Sequence, residues 1–296
     1  MEPPIELLLL TFNCARQLID SSTLAPHLFQ ALPANAPLPS FLAISLQEIA
    51  PLAYSFLGGS YLTPYYARIV QSVLQASKSR GVADADRYKL VTVQNVGLTA
   101  LMIFARPEVA ERIQWVQSAG TGVGLWEMGN KGAVGLRVGL VVNIGEIMEM
   151  TFVAAHLAPH EDAVLRRNQD WENIVRNLIF VPAKDKRKKR KPAKRSGTNG
   201  EEEELVHSSD ESHSSHSSHS SHDEDDEKPA STQTTIFTPT SHVFFSGDLN
   251  YRTHTHRPEP DSYKTFPQPV ASSSHDRQFS HLLEKDQLSA ELSAGR

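Results

Sequence analysis

Short apolar runs alternate with stretches of helical periodicity along this chain. Runs of strand length that are rich in β-branched and aromatic residues and end in polar residues or glycine predict buried strands. These runs are 5–12, 41–46, 88–93, 97–105, 133–142, 147–155 and 242–246. Apolar residues at helical spacing predict helices at 64–76, 162–180 and 276–292. Strands that alternate with helices are typical of an α/β fold.

Two of these predictions are specific enough to be checked residue by residue. The strands 133–142 and 147–155 are predicted to form a hairpin about residues 143–146. The helix at 162–180 has the clearest amphipathic pattern of the chain. Its apolar stripe consists of Leu165, Trp171, Ile174, Val175, Leu178 and Ile179.

The composition changes abruptly at residue 182. Residues 184–195 contain nine Lys or Arg and one Asp, and residues 201–227 are a low-complexity mixture of Ser, His and acidic residues. Such a segment cannot bury enough apolar surface to offset its ordering entropy. We therefore predict a disordered insertion at 182–241 in a single discontinuous domain formed by 1–181 and 242–296.

A solvated linker is one interpretation of this insertion, and three functional ones stay open. The basic block 184–195 has the composition of a nuclear localisation signal or of a contact with an anionic membrane. The four regularly spaced histidines of the acidic half are candidate metal ligands; they are His213, His216, His219 and His222.

Charge and cysteine usage narrow the class of protein. The net charge is −5, and outside 182–241 there are 19 Lys and Arg against 22 Asp and Glu, so no basic excess favours a nucleic-acid backbone. The single cysteine, Cys14, excludes an internal disulfide framework and a cysteine–histidine zinc site. No apolar run approaches the ~18 residues of a bilayer span. We expect a monomeric cytoplasmic protein that is peripheral to membranes, or nuclear through its basic block.

Polar residues follow four of the predicted strands at the point where each ends. They are Asn13, Glu48 after Gln47, His156, and the group Asp248, Asn250 and Arg252. Each has an ordinary alternative, since asparagine and Gly-Asp-Leu-Asn are common in turns, Glu48 could be a helix N-terminal acid and His156 a core histidine. Their joint occurrence at strand ends, where α/β folds place their chemistry, favours one shared site.

The last group suits a phosphate ester. If the chain stays extended, Asp248, Asn250 and Arg252 face the same way because they are two residues apart. The carboxylate can orient or deprotonate a water, the amide can hold an oxygen and the guanidinium can clamp a phosphoryl group. A carboxylate and an amide oxygen completed by waters are also suited to Mg²⁺, which acts as a Lewis acid on phosphoryl oxygens.

Six motifs in this order resemble the inositol polyphosphate 5-phosphatases of the endonuclease/exonuclease/phosphatase superfamily. They are Thr11-Phe12-Asn13, Leu46-Gln47-Glu48, Gly129-Asn130-Lys131-Gly132, Ala155-His156-Leu157-Ala158-Pro159-His160 with Arg166-Arg167-Asn168-Gln169-Asp170, Gly247-Asp248-Leu249-Asn250-Tyr251-Arg252, and Leu282-Leu283 with Asp286-Gln287-Leu288. The resemblance implies a four-layer α/β sandwich, incomplete at its C-terminal end. It also implies Mg²⁺-dependent removal of the 5-phosphate from a phosphoinositide headgroup at a membrane surface or from a soluble inositol phosphate.

The resemblance assigns roles to the residues at the strand ends. Glu48 is then the metal ligand, with Asn13 close to the metal. Asp248 positions or activates the attacking water, Asn250 holds the phosphoryl oxygens and His156 contacts the scissile phosphate. Phe12 and the residues after Asn13 depart from the commoner wording of the first motif, which affects a supporting contact.

The other motif residues are implied to bind substrate or to support the site. Asn130 and Lys131 are expected on a loop beside the substrate, and Arg252 at the phosphate site. Supporting roles are expected for His160, Arg167 and Asn168.

The family pattern continues past the Asp-Gln-Leu helix with Pro-Thr-Tyr-Lys, Trp-Cys-Asp-Arg and Ser-Asp-His segments that this sequence lacks. We therefore expect a truncated chain with little activity, because the missing aspartate and histidine would complete the catalytic pair. The alternatives are a metal-dependent nuclease of the same superfamily and a non-catalytic phosphoinositide-binding remnant.

Overall fold

The computed structural model describes residues 4–56, 59–122, 131–181, 234–253 and 283–296. Its strands are β1 (Leu7–Asn13), β2 (Phe41–Gln47), β3 (Lys89–Val96), β4 (Thr99–Ala105), β5 (Ile113–Gly122), β6 (Gly132–Asn143), β7 (Glu146–His156) and β8 (Ser241–Asp248). Its α-helices are α1 (Ser21–Leu28), α2 (Thr63–Ser79), α3 (Pro107–Ala110), α4 (Val164–Asn177) and α5 (Gln287–Ser293). Short 3₁₀ turns lie at Leu52–Phe56, Gly59–Leu62 and Asp84–Asp86. None of the helices in this part of the chain combines the length and apolarity that a bilayer crossing needs.

The strands form two four-stranded sheets. The first sheet has the spatial order β1, β2, β4, β3, and only its β1–β2 pair is parallel. The second has the order β5, β6, β7, β8, and only its β7–β8 pair is parallel. The sheets face each other, with β1 against β8 and β2 against β7. The two parallel pairs therefore lie opposite each other.

Alternation of side chains along the central strands explains the layers of the first sheet. Successive residues of a strand point to opposite faces. In β2, Leu42 and Ile44 pack beneath α1 and α2, whereas Phe41 and Ala43 point into the core between the sheets. Both faces of β2 and β4 are thus covered, which accounts for their fully buried and largely apolar sequences.

The second sheet is covered by α4 on its outer face. Ile174 of α4 and the following Leu178 are fully buried in a cluster with Val153 of β7. Trp171 of α4 contacts Phe245 of β8 edge to face, with ring centroids 4.6 Å apart. The order helix, sheet, sheet, helix is the four-layer α/β sandwich that the sequence predicts.

Most predicted elements are present, and the differences have physical reasons. The strand β5 was not predicted, because it is a half-buried edge strand that contains Gly120 and Gly122 among polar residues. The apolar stripe is wrong at Leu165 and Ile179, which are 83% and 39% exposed. The last helix begins at Gln287 in the described residues, and 276–282 of its predicted span lie outside them.

The buried Arg137 fixes the chain where it returns to the second sheet. Its guanidinium donates to the Thr234 hydroxyl and to the Thr235 and Ile236 carbonyls at 2.6 to 3.1 Å, and it stacks on the Phe180 ring. Ile236 is fully buried. The predicted end of the insertion at 241 is therefore wrong, since residues 234–241 belong to the folded unit. The prediction of disorder for 182–233 lies outside the described residues.

The two ends of the inserted segment are held side by side. The Phe180 amide donates to the Thr234 carbonyl at 2.8 Å, and the Thr234 amide returns the bond at 3.1 Å. We expect replacement of 183–232 by a Gly-Ser linker of about six residues to keep the fold. Because a shorter loop costs less closure entropy, the thermal midpoint should stay the same or rise by a few degrees. Differential scanning calorimetry checks this, and loss of a cooperative transition would contradict it.

The Arg137→Met substitution is the destabilising counterpart. It leaves the part-buried carbonyl of Thr235 and the buried carbonyl of Ile236 without their donor, and an unpaired buried acceptor costs about 1–3 kcal/mol. We expect the free energy of unfolding in urea to fall by about 2–4 kcal/mol. An unchanged value would show that another contact fixes the returning chain.

Candidate active site

The carboxyl ends of the two parallel strand pairs meet at one end of the sandwich. The register pairs Asn13 of β1 with Gln47 of β2, and His156 of β7 with Asp248 of β8. The amide Nδ2 of Asn13 donates to Asp248 Oδ2 at 3.2 Å, which joins the two sheets. Residues that are 235 positions apart in sequence thereby share one site, as the sequence predicts.

Gly247 places Asp248 at this end. Its φ of 135° is one that other residues rarely adopt, and a Cβ here would overlap the backbone of Ala155 on β7. The last residues of β8 can lie this close to β7 only because Gly247 has no side chain. The Ser-Gly-Asp sequence therefore sets the position of the carboxylate beside His156.

Backbone strain is concentrated at the same end of the molecule. Among the described residues, the non-glycine positions with positive φ are Ala15, Arg16, Glu48, His160 and Asn250. All five lie in the segments that leave β1, β2, β7 and β8. Such conformations cost energy and persist where surrounding structure enforces them, which is characteristic of functional sites.

Lys131, His156 and Asp248 form the inner part of the site. Lys131 Nζ lies 2.5 Å from His156 Nε2, and that nitrogen lies 3.5 Å from Asp248 Oδ2. His156 is 1% exposed, while the Asp248 side chain is 30% exposed. A buried imidazole and a half-buried ammonium thus face a carboxylate that remains accessible to solvent.

His156 is neutral at neutral pH. Burial, followed by the positive charge of Lys131, lowers the pKa of His156 from 6.5 to about 4, against the opposing effect of Asp248 and Glu48. Burial also lowers the pKa of Lys131, again opposed by these carboxylates. The His156–Asp248 approach is therefore not an ion pair: Nε2 accepts a hydrogen bond from Lys131, and Nδ1 carries the ring proton. Nδ1 has no hydrogen-bond partner in the described part of the chain.

Glu48 lies at the outer part of the site, where it pairs with a residue that sequence reasoning missed. Arg16 Nε donates to Glu48 Oε2 at 3.1 Å, and both side chains are partly exposed. Arg16 and Glu48 each influence the pKa of Lys131 and of His156, so all four belong to one electrostatic cluster. The available sequence signal was a basic residue in the segment that leaves β1, beside Asn13.

These donors fit a water-rich magnesium site. Glu48 and Asp248 offer carboxylate oxygens, and Asn13 offers an amide oxygen. This set agrees with Mg²⁺ in phosphoryl-transfer sites, which binds one or two carboxylates and completes its coordination with substrate oxygens and waters. The described residues contain no group of three or more His, Cys, Asp or Glu that could form a complete protein cage. Burial raises the pKa of the Cys14 thiol to about 12, so no thiolate competes.

Asn250 and Arg252 hold the segment after β8 in place. Asn250 Nδ2 donates to the Leu157 carbonyl at 3.0 Å, and Asn250 Oδ1 accepts from the Arg252 guanidinium at 2.6 Å. The Asn250 backbone amide donates to Asp248 Oδ1 at 3.2 Å. Both functional groups of the Asn250 side chain are thus engaged with the protein, and its predicted contact with phosphoryl oxygens needs one of them to exchange partners.

Arg167 and Gln287 support this segment from below. Arg167 is fully buried and donates to the Ala158 and His160 carbonyls and to Gln287 Oε1. Gln287 Oε1 also accepts from the Arg252 amide at 3.0 Å, and Gln287 Nε2 donates to the Glu161 carbonyl. Gln287 therefore ties the segments after β7 and β8 together. The sequence marked it only as part of a helix motif.

The remaining predicted residues take different positions. Asn168 Oδ1 accepts a hydrogen bond from the Tyr251 hydroxyl, and Asn168 Nδ2 donates one to the Glu291 carboxylate of α5. His160 has an exposed side chain and contributes its carbonyl to Arg167. Asn130 and the histidines of the insertion lie outside the described residues.

Comparison with known proteins agrees with this geometry. The family model of endonuclease/exonuclease/phosphatase family 2 matches residues 10–296. The chain is 41% identical over 92 residues to phosphatidylinositol 3,4,5-trisphosphate 5-phosphatase 2B of Danio rerio, which is 31% of this chain and 7% of that protein. It is 47% identical over 53 residues to type II inositol polyphosphate 5-phosphatase 14 of Arabidopsis thaliana, a match that covers 18% of this chain and 4% of that protein. The resemblance predicted from the motifs is confirmed.

A solved structure shares the fold. The inositol polyphosphate 5-phosphatase domain of SPsynaptojanin, in complex with inositol (1,4)-bisphosphate and calcium ion, superposes with a TM-score of 0.61 and 18% identity. The match covers 98% of this chain and 63% of that one. The chain thus spans less than two thirds of the solved domain and a small fraction of the curated relatives' length.

The buried neutral His156 predicts acid sensitivity. The unfolded chain takes up a proton near the ordinary pKa of 6.5, whereas the folded chain does so only near about 4. The free energy of unfolding should therefore fall by about 2–3 kcal/mol as pH drops through this window. Urea unfolding at several pH values checks this. His156→Gln should flatten the dependence, while His27→Gln, on the exposed side of α1, should not. An unchanged slope in His156→Gln would contradict it.

Gln287 predicts a second effect on stability. Gln287→Met keeps the side-chain volume but leaves the buried Arg167 donor, the Arg252 amide and the Glu161 carbonyl without this partner. We expect the free energy of unfolding to fall by about 2–4 kcal/mol. The same change at the exposed Gln75 of α2 should stay within about 0.5 kcal/mol. Equal effects of the two substitutions would show that the contacts of Gln287 are not stabilising.

Proposed function

Since this chain belongs to endonuclease/exonuclease/phosphatase family 2, we propose that it hydrolyses the 5-phosphate monoester of phosphoinositides such as phosphatidylinositol 4,5-bisphosphate, or of soluble inositol phosphates, with the aid of Mg²⁺. The observation that carries the proposal is the Asn13–Asp248 hydrogen bond. It brings Glu48, at the end of the first sheet, into one site with the Asp248, His156 and Lys131 of the second.

Asp248 is suited to orient the attacking water and to accept its proton. Its Oδ2 is held by Asn13 Nδ2 and its Oδ1 by the Asn250 amide, so the carboxylate has a fixed direction. It remains partly exposed, which leaves room for a water beside it. A carboxylate held in this way within reach of a water is the geometry that general-base catalysis needs.

Lys131 and His156 are suited to receive the phosphoryl group. The Lys131 ammonium lies within the site and is half-buried, which strengthens its attraction for a phosphate dianion. A phosphate oxygen near the ammonium can displace the His156 contact, and the freed Nε2 can then donate to the substrate once the ring proton moves from Nδ1 to Nε2. Charge that develops on the phosphoryl oxygens is stabilised by fixed donors of this kind.

Glu48 and Asn13 are the residues that would hold the metal ion. A bound Mg²⁺ would supply Lewis-acid polarisation of a phosphoryl oxygen. Glu48 is suited to this role because its carboxylate is solvent-accessible and its position is fixed by a constrained backbone with φ of 48°.

The names of the relatives support the substrate class. The similar proteins of Danio rerio and Arabidopsis thaliana are named as 5-phosphatases of phosphatidylinositol 3,4,5-trisphosphate and of inositol polyphosphates. The solved neighbour holds inositol (1,4)-bisphosphate, which is what remains of inositol 1,4,5-trisphosphate once its 5-phosphate is removed. A phosphomonoester on an inositol ring therefore fits both the chemistry of the site and the family.

Phosphate release tests the proposal directly. With vesicles containing phosphatidylinositol 4,5-bisphosphate, we expect slow phosphate release in Mg²⁺ and none in EDTA, with phosphatidylinositol 4-phosphate as the lipid product. Glu48→Gln and Asp248→Asn should each lower kcat by about 10²- to 10⁴-fold, because one removes the metal ligand and the other the base. Chromatography of the deacylated lipids and a phosphate assay measure both.

The control carries the same chemical change away from the site. Glu172→Gln removes an exposed carboxylate of α4 that pairs with Arg176, and it should leave kcat unchanged. Release that persists in EDTA, or in Asp248→Asn, would refute the assigned roles. A product other than the 4-phosphate would refute the position of cleavage.

A further inference from the structure

Arg16 contacts Glu48 through both its backbone and its side chain. The Arg16 amide donates to the Glu48 carbonyl at 2.7 Å, and its Nε donates to Glu48 Oε2 at 3.1 Å. Both residues have positive φ, 61° for Arg16 and 48° for Glu48. Two strained residues that bind each other twice indicate that their pairing is built into the local fold.

The neighbouring backbone fixes the direction of Arg16. The Cys14 amide donates to the Gln47 carbonyl, the Gln17 amide donates to the Cys14 carbonyl, and the Ala15 amide donates to Asn13 Oδ1. The turn from Asn13 to Gln17 is therefore attached to β1 through Ala15 and to the end of β2 through Cys14, and it is closed on itself by the Gln17–Cys14 hydrogen bond. This turn leaves the Arg16 guanidinium on the Glu48 carboxylate rather than in bulk solvent.

The pair lies where a metal ion is proposed to bind. A guanidinium and a divalent cation compete for the same carboxylate oxygens. The Arg16 and Glu48 side chains are 49% and 27% exposed, and ion pairs this accessible contribute little net stability. A divalent cation can therefore displace Arg16 from Glu48 at small cost.

The displaced guanidinium stays in the site. Its backbone remains attached to Glu48, and its charge already acts on both Lys131 and His156. A planar guanidinium matches two oxygens of a phosphate group. Arg16 would thus approach the phosphoryl group from the first sheet, whereas Lys131 approaches it from the second.

We propose that Arg16 is a phosphate-binding residue whose guanidinium stays paired with the Glu48 carboxylate until a divalent cation displaces it. Cation binding then makes the guanidinium available to the substrate phosphate. The inference rests on the proposed function for the roles of Glu48 and of the phosphate. It predicts that cation and phosphate ester each strengthen the binding of the other, and that Arg16 carries part of this coupling.

The first experiment measures cation binding without substrate. Mn²⁺ is titrated into the full chain and into Arg16→Gln, with isothermal calorimetry or electron paramagnetic resonance as the readout. Removal of the competing charge should tighten Mn²⁺ binding by about three- to tenfold. Arg176→Gln removes the exposed Arg176–Glu172 pair on α4 and should leave Mn²⁺ binding unchanged. Glu48→Gln should weaken it.

The second experiment measures phosphate binding at saturating Mn²⁺. Inositol 1,4-bisphosphate serves as a non-hydrolysed probe, and inorganic phosphate distinguishes recognition of phosphate alone from recognition of the inositol ester. Arg16→Gln should weaken binding of the bisphosphate by about tenfold, because a charge-assisted contact is lost. Arg16→Lys should restore part of it. Equal loss with inorganic phosphate assigns Arg16 to the phosphate group itself.

The outcomes separate this inference from the proposed function. Unchanged or weaker Mn²⁺ binding in Arg16→Gln would overturn the competition, and unchanged bisphosphate binding would overturn the phosphate contact. A parallel fall in thermal midpoint and in both affinities would assign Arg16 to the structure of the turn and also overturn the proposal. If wild type releases no phosphate but Arg16→Gln shows both expected shifts, the function fails while the role of Arg16 stands.

Discussion

The hydrogen bond between Asn13 and Asp248 is the contact on which the site depends. Each sheet contains one parallel strand pair, and the carboxyl ends of both pairs lie at the same end of the sandwich. Parallel pairing brings neighbouring strand ends together within a sheet, but only packing of the sheets brings the two pairs together. The core between the sheets, built on Phe41, Leu136 and Phe152, therefore sets the distances between the candidate catalytic groups as much as the site's own hydrogen bonds do.

The polar residues beneath the site follow from the cost of leaving buried groups unpaired. After the Leu157 amide donates to the Asp248 carbonyl of β8, the segments that follow β7 and β8 turn away from the sheet, so their further backbone groups need partners outside the strands. Arg167, Asn250 and Gln287 supply the missing donors and acceptors. A buried arginine is tolerated because both terminal nitrogens of its guanidinium donate to carbonyl and amide oxygens and its face lies on the Tyr251 ring, although its Nε has no partner among the described residues. The strained φ angles of His160 and Asn250 are maintained by this network.

The sequence predicts the features that depend on a local pattern of residues. Prediction fails for most features that depend on tertiary packing. The strand ends at Asn13, Glu48, His156 and Asp248 could be located because an apolar run stops there. The strand β5 could not, since its glycines and polar residues suit an edge position that only the finished sheet defines. Leu165 fails for a local reason, since it lies nine residues, or about two and a half helical turns, before Ile174 and therefore on the opposite, exposed face of α4. Arg16 and Gln287 are ordinary polar residues until folding reveals their partners.

The charges of the site explain why it can exist before it is filled. Lys131 and Arg16 oppose Asp248 and Glu48, and His156 is neutral, so the cluster is close to balanced. Such a balance limits the energy of bringing like charges together. A divalent cation and a phosphate dianion add equal and opposite charge, so the filled site is balanced as well. Either ligand alone leaves an excess, which disfavours partial occupancy. Cation and phosphate ester should therefore bind as a pair, and the proposed exchange of Arg16 from Glu48 to the phosphate would leave each added charge beside an opposite one.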